Sequence, residues 1–385
     1  MQLIGKQNMK KFLQLIKKEL MLSLALIAAI ISLFITPVSS KLIKEIDWHT
    51  LGMLFMMLCV LEGFKQENIF RPLIRLAGGL KKMRHLTLFL VFGVFFTSMF
   101  VTNDVSLIIF VPLTILLFRG GGKEKYILPV ITFENIAAIR GSLLMPFGSP
   151  QNLFFYGRFG KNAAEFILMM APLCIMSAVL LIVFILILYR KNPGEEIVFD
   201  LNKAGEEWKP ERKSIRISYI ILFIMIITLI VTRTSLWPFA ILVVIAVIFV
   251  MDRALFKKVD YILLLTFLCF FVFSSQIAAN EGISEVLKKA VTGHEYFLTI
   301  GVSQFISNVP ASIVLFPFAE NHKALIYGAD TAGLVSLIGS LASVINYRIY
   351  VREYPDRGGK FIKVFTLISW AFFAVVVIPG FLLSR

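Results

Sequence analysis

Charge is scarce in this chain of 385 residues: 16% are Asp, Glu, Lys or Arg, against 58% hydrophobic, and the mean hydropathy is +0.83. A soluble domain of this length could not hide that much apolar side chain, so a water-soluble globular fold is excluded. Cysteine is nearly absent. Cys59, Cys174 and Cys269 lie singly in apolar segments, without the spacing of a metal site, and read as inert buried thiols. Acidic residues are outnumbered 24 to 39 by basic ones. The net charge of +15 does not point to nucleic acid, because the basic residues sit in short loops between apolar spans and lack aromatic interleaving. The spans hold no Ser/His/Asp, paired-histidine or glycosyl-transfer arrangement, which argues against an enzyme. His85 and His294 fall at interfacial depth and read as solvated.

Apolar stretches near 20 residues recur from Leu20 to Leu383, each able to cross roughly 30 Å of hydrocarbon as a helix. The spacing predicts an all-α polytopic membrane protein of about nine spans plus two hairpins. Segment 1–18, rich in lysine, resembles a signal n-region, but no small-residue cleavage site follows, so the first span reads as retained. Its lysines place the N-terminus in the cytoplasm and, by counting crossings, the C-terminus outside. The stretch 86–118 has Lys81, Lys82 and Arg84 before it and Arg119, Lys123 and Lys125 after it, and both flanks belong inside. It is therefore expected to be a re-entrant hairpin with Thr102, Asn103 and Asp104 at its tip. A first repeat over 19–189 thus holds hairpin 86–118 and a broken helix at 126–158. A cytoplasmic linker (190–216) and a connecting span (217–232) lead to a second repeat over 234–385, with hairpin 295–318 and broken helix 324–347.

A shift of 205 residues sets FVTNDVSLIIFVP, Phe100 to Pro112, over FISNVPASIVLFP, Phe305 to Pro317. Phe, a hydroxyl residue, Asn and the closing Pro coincide. A second pair, GSPQNLFFY from Gly148 and GSLASVINY from Gly339, shares Gly, Ser and the closing Tyr at an offset of 191. Five crossings separate the hairpins, so they open to opposite sides as an inverted-topology repeat. Such repeats place substrate and ion sites near the midplane, at interrupted helices. Non-helical backbone survives at that depth only where it lines a protein-enclosed or hydrated cavity. Pro150 and Pro310 remove amide donors there, and Gly148 and Gly339 are expected to let a ligand reach the main chain. Thr102, Asn103, Ser307 and Asn308, with Ser149, Asn152 and Ser340 beside the breaks, offer oxygens to a hard cation, and Asn can also donate to an anion. Taken singly, an intramembrane Asn or Ser often only bridges helices. Matched positions beside proline or glycine favour a site.

These residues resemble the ion transporter superfamily, which includes divalent-anion/sodium symporters, citrate transporters, arsenite permeases and a group of sodium/proton antiporters. Its members share hairpins tipped by Ser/Thr-Asn and broken helices with Gly-Thr/Ser-Pro-x-Asn. TND at Thr102 to Asp104, MPFGSPQN at Met145 to Asn152 and SNVP at Ser307 to Pro310 match those elements. The resemblance implies that Asn103, Gly148, Ser307, Asn308 and Gly339 bind the coupling ion, Na+ or H+, while the facing tips hold a substrate carboxylate. No other cofactor is implied. It also implies a homodimer in a bacterial inner membrane whose transport domain moves as an elevator. Asn103, Asp104, Gly148 and Asn308 are the sodium candidates. Asp104 stands where the symporters carry a hydroxyl and looks more like the Asn-Asp of arsenite permeases and antiporters. Val309 and Leu341 leave the second half poorer in ligands.

Asp104, Glu134 and Arg140 are the charges expected nearest the interior, each costing about 2.5 to 3.5 kcal/mol at a helix centre. Asp104 could take a cation or a proton. Arg140 suits a carboxylate or oxyanion, but it could equally be a structural partner of Glu134 from another helix or of Asp104. RGGGKEK, Arg119 to Lys125, lacks phosphate-loop spacing and reads as a hairpin exit. The leading expectation is a secondary active transporter of a small carboxylate or oxyanion. A sodium/proton antiporter is the alternative, ahead of a passive channel or an intramembrane enzyme.

Overall fold

The computed structural model describes residues 20–37, 42–67, 69, 76–77, 79–198 and 212–385. The basic segment 1–18 and linker residues 199–211 lie outside the described residues. The first half runs through Leu20–Ile35 (α1), Trp48–Gln66 (α2), Met83–Val101 (α3), Asn103–Gly120 (α4), Ile127–Ser142 (α5), Pro150–Arg158 (α6) and Ala163–Leu188 (α7). Lys213–Thr232 (α8) stands between the halves. The order then repeats as Trp237–Met251 (α9) and Tyr261–Ala279 (α10), the amphipathic Glu281–Val291 (α11), then Glu295–Ile306 (α12), Asn308–Leu315 (α13), His322–Ala332 (α14), Leu341–Glu353 (α15) and Gly358–Ser384 (α16). Six helices among the described residues are long and apolar enough to cross a membrane, with shorter apolar helices beside them. The fold is an all-α membrane architecture of two inverted repeats. Each carries a re-entrant hairpin (α3–α4, α12–α13) and a broken helix (α5–α6, α14–α15).

The helices overrun the apolar limits read from the sequence. The first hairpin spans 83 to 120, and the second broken helix continues to Glu353. Arg84, His85, Arg119, Arg348 and Arg352 stay helical at the polar ends, where hydropathy no longer marks the helix.

Each hairpin reverses on one residue. Thr102 (φ 71°, ψ 156°) and Ser307 (φ 68°, ψ 160°) share a backbone conformation nearly reserved for glycine. It costs about 1–3 kcal/mol per residue and persists only where the surroundings over-determine it. Here the over-determination is close packing: α3 lies on α5, and α12 on α14. A Cβ on Gly141 would fall 2.0 Å from the Phe95 carbonyl oxygen, and one on Gly328 would fall 2.5 Å from that of Tyr296. Both half-helices therefore ride directly on the backbone of their hairpin. The second arms cross between repeats, α4 packing on α15 and α13 on α6. Outside this core, α1 lies along α10, and α2 meets α8 and α9. Leu168, Ile175, Val179, Ile182 and Leu186 leave a broad exposed apolar face on α7, as a lipid-facing helix requires.

The linker begins with a strap across the end of the first hairpin opposite its tip. Ile197 N–H donates to the Lys81 carbonyl (2.8 Å), Met83 N–H to that of Glu195 (2.9 Å), and Lys123 and Tyr126 both donate to the Glu195 carboxylate. Burial alone would raise Glu195, but hydrogen bonds from Tyr126 and Lys123 and the charges of Lys123 and Lys125 hold it below the usual glutamate range.

Gly141→Ala should destabilise the protein sharply, by about 1–3 kcal/mol or more, because a carbonyl in a packed helix cannot retreat. Gly301→Ala, whose Cβ meets nothing within 4 Å, should leave the melting temperature unchanged or raise it. Thermal unfolding of the two purified variants checks the contrast.

Candidate functional site

The breaks free carbonyls that need donors. Between α5 and α6, Ser149 caps the new helix by accepting from Asn152 N–H (3.3 Å), and Pro150 occupies the first helical position, where no donor is required. One side chain collects the loose carbonyls. Asn152 Nδ2 donates to Ser142 O (3.2 Å), Leu143 O (2.9 Å) and Met145 O (3.3 Å), while its Oδ1 is buried without a partner. Between α14 and α15 the donor comes from the hairpin instead: Gln304 Nε2 reaches Ala332 O at 3.2 Å, and Ser336 Oγ donates to Gln304 Oε1 at 2.7 Å. Ser340 starts α15 without a side-chain cap. A Cβ on Gly148 would lie 2.1 Å from Ser142 O, and one on Gly339 would lie 2.4 Å from Ala332 O. The close approach expected of a ligand at these glycines is made here by the protein's own carbonyls.

The two tips differ. At the second, Asn308 N–H donates to Gly339 O (3.2 Å) and Asn308 Nδ2 to Ala329 O (3.2 Å), so the tip is fastened to its own broken helix. Ser307 Oγ approaches Asn308 Oδ1 at 3.5 Å, and Pro310 sits in the first turn of α13, where its missing N–H breaks no bond. At the first tip, Asn103 Oδ1 accepts only the adjacent Asp104 N–H (2.9 Å), and among the described residues no hydrogen bond joins Asn103 to the loop of the break. Contact between them comes through Phe100 and Phe147, whose ring centroids are 6.4 Å apart. Ser106 Oγ donates to Thr102 O (3.0 Å). Asp104 Oδ1 is buried without a partner, and the Asp260 carboxylate, which caps α10, lies within electrostatic reach.

The repeats are joined by buried polar side chains. Asn135 Nδ2 donates to Ser343 Oγ (3.0 Å), Asn346 Nδ2 to Ile131 O (2.7 Å) and Gln151 Nε2 to Asp330 Oδ1 (3.0 Å). Arg140 is fully buried, but its partners are Ser177 Oγ (2.8 Å) and Asp330 O (3.1 Å), neither Glu134 nor Asp104. Glu134 accepts from Thr114 Oγ1 within its own repeat. Sequence reasoning passed over Asp330 and Gln151. Asp330 was visible as the sole charge between Ala324 and Tyr347, an intramembrane carboxylate like Glu134. A cavity of about 690 Å³ opens elsewhere, against the ends of α6 and the second hairpin. Lys44, Asp47, His49, Arg158 and Phe316 line it, and the tip residues do not.

The family description "Citrate transporter" matches residues 12–339. The inner membrane protein YbiR of Escherichia coli (strain K12) is 33% identical over 309 residues, covering 79% of this chain and 80% of that protein. The uncharacterized transporter MJ0456 of Methanocaldococcus jannaschii is 31% identical over 323 residues, covering 83% and 85%. In structure, the chain is similar to the YdaH transporter of Alcanivorax borkumensis, described as having an unusual topology. The TM-score is 0.51 and the identity 14%, over 89% of this chain and 87% of that one. At that identity the likeness concerns the fold.

Asn152→Ala strips two buried carbonyls, Ser142 O and Leu143 O, of their donor and should cost about 1–3 kcal/mol. Asn152→Asp should not rescue it, since an ionised carboxylate accepts and cannot donate. Thermal unfolding in detergent reads both variants against the wild type.

Proposed function

The chain belongs to the citrate transporter family, part of the ion transporter superfamily, and from that premise we propose that it is a secondary active transporter of a small anion, a carboxylate or oxyanion, coupled to Na+ or H+. The observation that carries this reading is the matched pair of hairpin reversals, Thr102 and Ser307, each followed by a buried asparagine that opens a helix. The N-termini of α4 and α13 aim a positive dipole end at whatever sits at the tips, which suits an anion, although the Asn308 N–H is committed to Gly339 O. Asn103 adds an amide donor, whereas that of Asn308 is given to Ala329 O. Asn103, Asp104, Asn308 and main chain near Gly148 supply oxygens for a coupling cation, with Ser149, Pro150, Asn152, Pro310, Gly339 and Ser340 shaping the breaks behind them. Glu134 and Arg140 serve the interior, the first through Thr114 and the second through the opposite repeat.

The hairpins and broken helices, interlocked across the repeats, move as one elevator against the bundle of α1, α2, α8, α9 and α10 in a homodimer, with the N-terminus in the cytoplasm and the C-terminus outside. A second reading, sodium/proton exchange, is favoured by one feature: Asp104 Oδ1 is buried at the first tip with no hydrogen-bond donor among the described residues. Proteoliposome flux separates the two. Uptake of a carboxylate or oxyanion against its gradient supports the first reading; sodium-driven pH change in the absence of any organic anion supports the second and counts against the first.

Asn103→Ala and Asn308→Ala should each abolish flux while the protein remains folded in the membrane, and wild-type flux in both would sink the tip site. Asp104→Asn should change ion or pH dependence more than substrate choice. An unaltered ion and pH profile in that variant would remove Asp104 from the coupling role.

A further inference from the structure

Arg140 and Asp330 are opposite charges, both buried to within 1% of full exclusion, near the C-terminal ends of α5 and α14, the first halves of the two broken helices. They touch without forming an ion pair. The guanidinium gives Nε to Ser177 Oγ at 2.8 Å and Nη1 to the main-chain oxygen of Asp330 at 3.1 Å. The carboxylate is turned the other way, its Oδ1 accepting from Gln151 Nε2 at 3.0 Å. Two atoms are left over: Arg140 Nη2 and Asp330 Oδ2 are both buried without partners.

The remaining titratable groups around this pair are Tyr296, Tyr327 and Cys174, all facing Arg140. Both tyrosine hydroxyls are committed, Tyr296 to Val377 O (3.0 Å) and Tyr327 to Met169 O. Cys174 is a buried free thiol. The groups acting on Asp330 are Gln151 and Arg140, and Tyr327, one turn before it, is within electrostatic reach. An ionised carboxylate held by one neutral amide, with its second oxygen bare, is an expensive buried group. The guanidinium cannot resolve this by losing a proton. Two arrangements would relieve it. In one, Oδ2 would carry a proton while Arg140 keeps the contacts with Ser177 and the Asp330 carbonyl that the structure shows. In the other, the Oδ2 proton has left and Arg140 Nη2 turns onto the carboxylate as a charged pair.

We propose that Asp330 is a proton-binding site separate from the hairpin tips, and that loss of its proton is exchanged for an ion pair with Arg140. The exchange is balanced: one O–H bond of the carboxyl is broken, the proton leaves to solvent, and the charge left on Asp330 is matched by the existing charge of Arg140. Arg140 and Gln151 lie on the two halves of one broken helix and Asp330 on the other repeat, so the exchange re-pairs the repeats beside both breaks. As an element of coupling this site rests on the transport reading above. Its test does not, since it needs neither substrate nor flux.

The test is pH-difference infrared spectroscopy of the full chain in lipid, on an Asp104→Asn, Glu134→Gln background that silences the two other carboxyls with an unpartnered buried oxygen. A titrating carboxylic C=O band should be present and should vanish in Asp330→Asn; if that variant does not accumulate, Asp330→Glu should move the band. Arg140→Gln, which removes the cation favouring the ionised form, should raise the midpoint by about 1–3 pH units. Gln151→Leu, offered in case Arg140→Gln does not fold, should raise it in the same direction by less. A band unaffected by either change at Asp330, or a midpoint unmoved in whichever of Arg140→Gln and Gln151→Leu folds, overturns the proposal.

Discussion

Backbone N–H and C=O groups released inside a bilayer must find partners within the protein, and the architecture follows from how this chain meets that demand. Each half interrupts a helix at the same point, between Ser142 and Pro150 in the first and between Ala332 and Leu341 in the second. The solutions differ in kind. The first half recruits Asn152 from the helix that follows the break, so α5 and α6 are held to each other. The second recruits Gln304 from the hairpin, so the break is held to the tip that faces it. Similar sequence motifs thus lead to different mechanical linkages, one inside the broken helix and one between the broken helix and its hairpin.

The second constraint is the strained reversal. Thr102 and Ser307 would relax if the arms beside them could move, and glycines 141 and 328 prevent it by bringing helix against helix at carbonyl contact. Because α4 packs on α15 and α13 on α6, a shift of either hairpin is felt by the opposite repeat. Asn135, Asn346 and Gln151 hydrogen-bond across the same boundary. Displacing one broken helix alone would leave these amides without partners, which makes a joint movement of the interlocked elements cheaper than a local one.

Much of this was legible in the sequence. The shift of 205 residues that aligned TND with SNVP also aligns the two reversal residues, Thr102 and Ser307, each directly before the asparagine that opens the next helix. Ser149 and Pro150 were read as part of the unwound break, but they open α6, where the donor that proline lacks is one the first turn leaves unused. What could not be read was long-range pairing. Arg140 meets Asp330 across 190 positions, and no local spacing records that the carbonyl rather than the carboxylate is its acceptor. The strap at Glu195 is hidden for the same reason, since charges in a polar loop look solvated until the hairpin end is seen beneath them. Gly148 and Gly339 were recognised as places of close approach, but only the fold reveals that the approaching atoms are carbonyls of the same chain.

The tips themselves carry the last consequence. Asn308 has committed its main-chain N–H and its side-chain amide to the second broken helix, whereas at the first tip Asn103 bonds only to its neighbour and Asp104 leaves an oxygen bare. A fastened tip is rigid and presents a fixed surface, while an uncommitted one can reorient its donors and acceptors around an occupant at little cost in broken bonds. Any ion or anion binding between them would therefore be met by a preformed wall from the second repeat and an adaptable one from the first. The only carboxylate at either tip belongs to the adaptable side, so charge compensation and conformational response would arise from the same few residues.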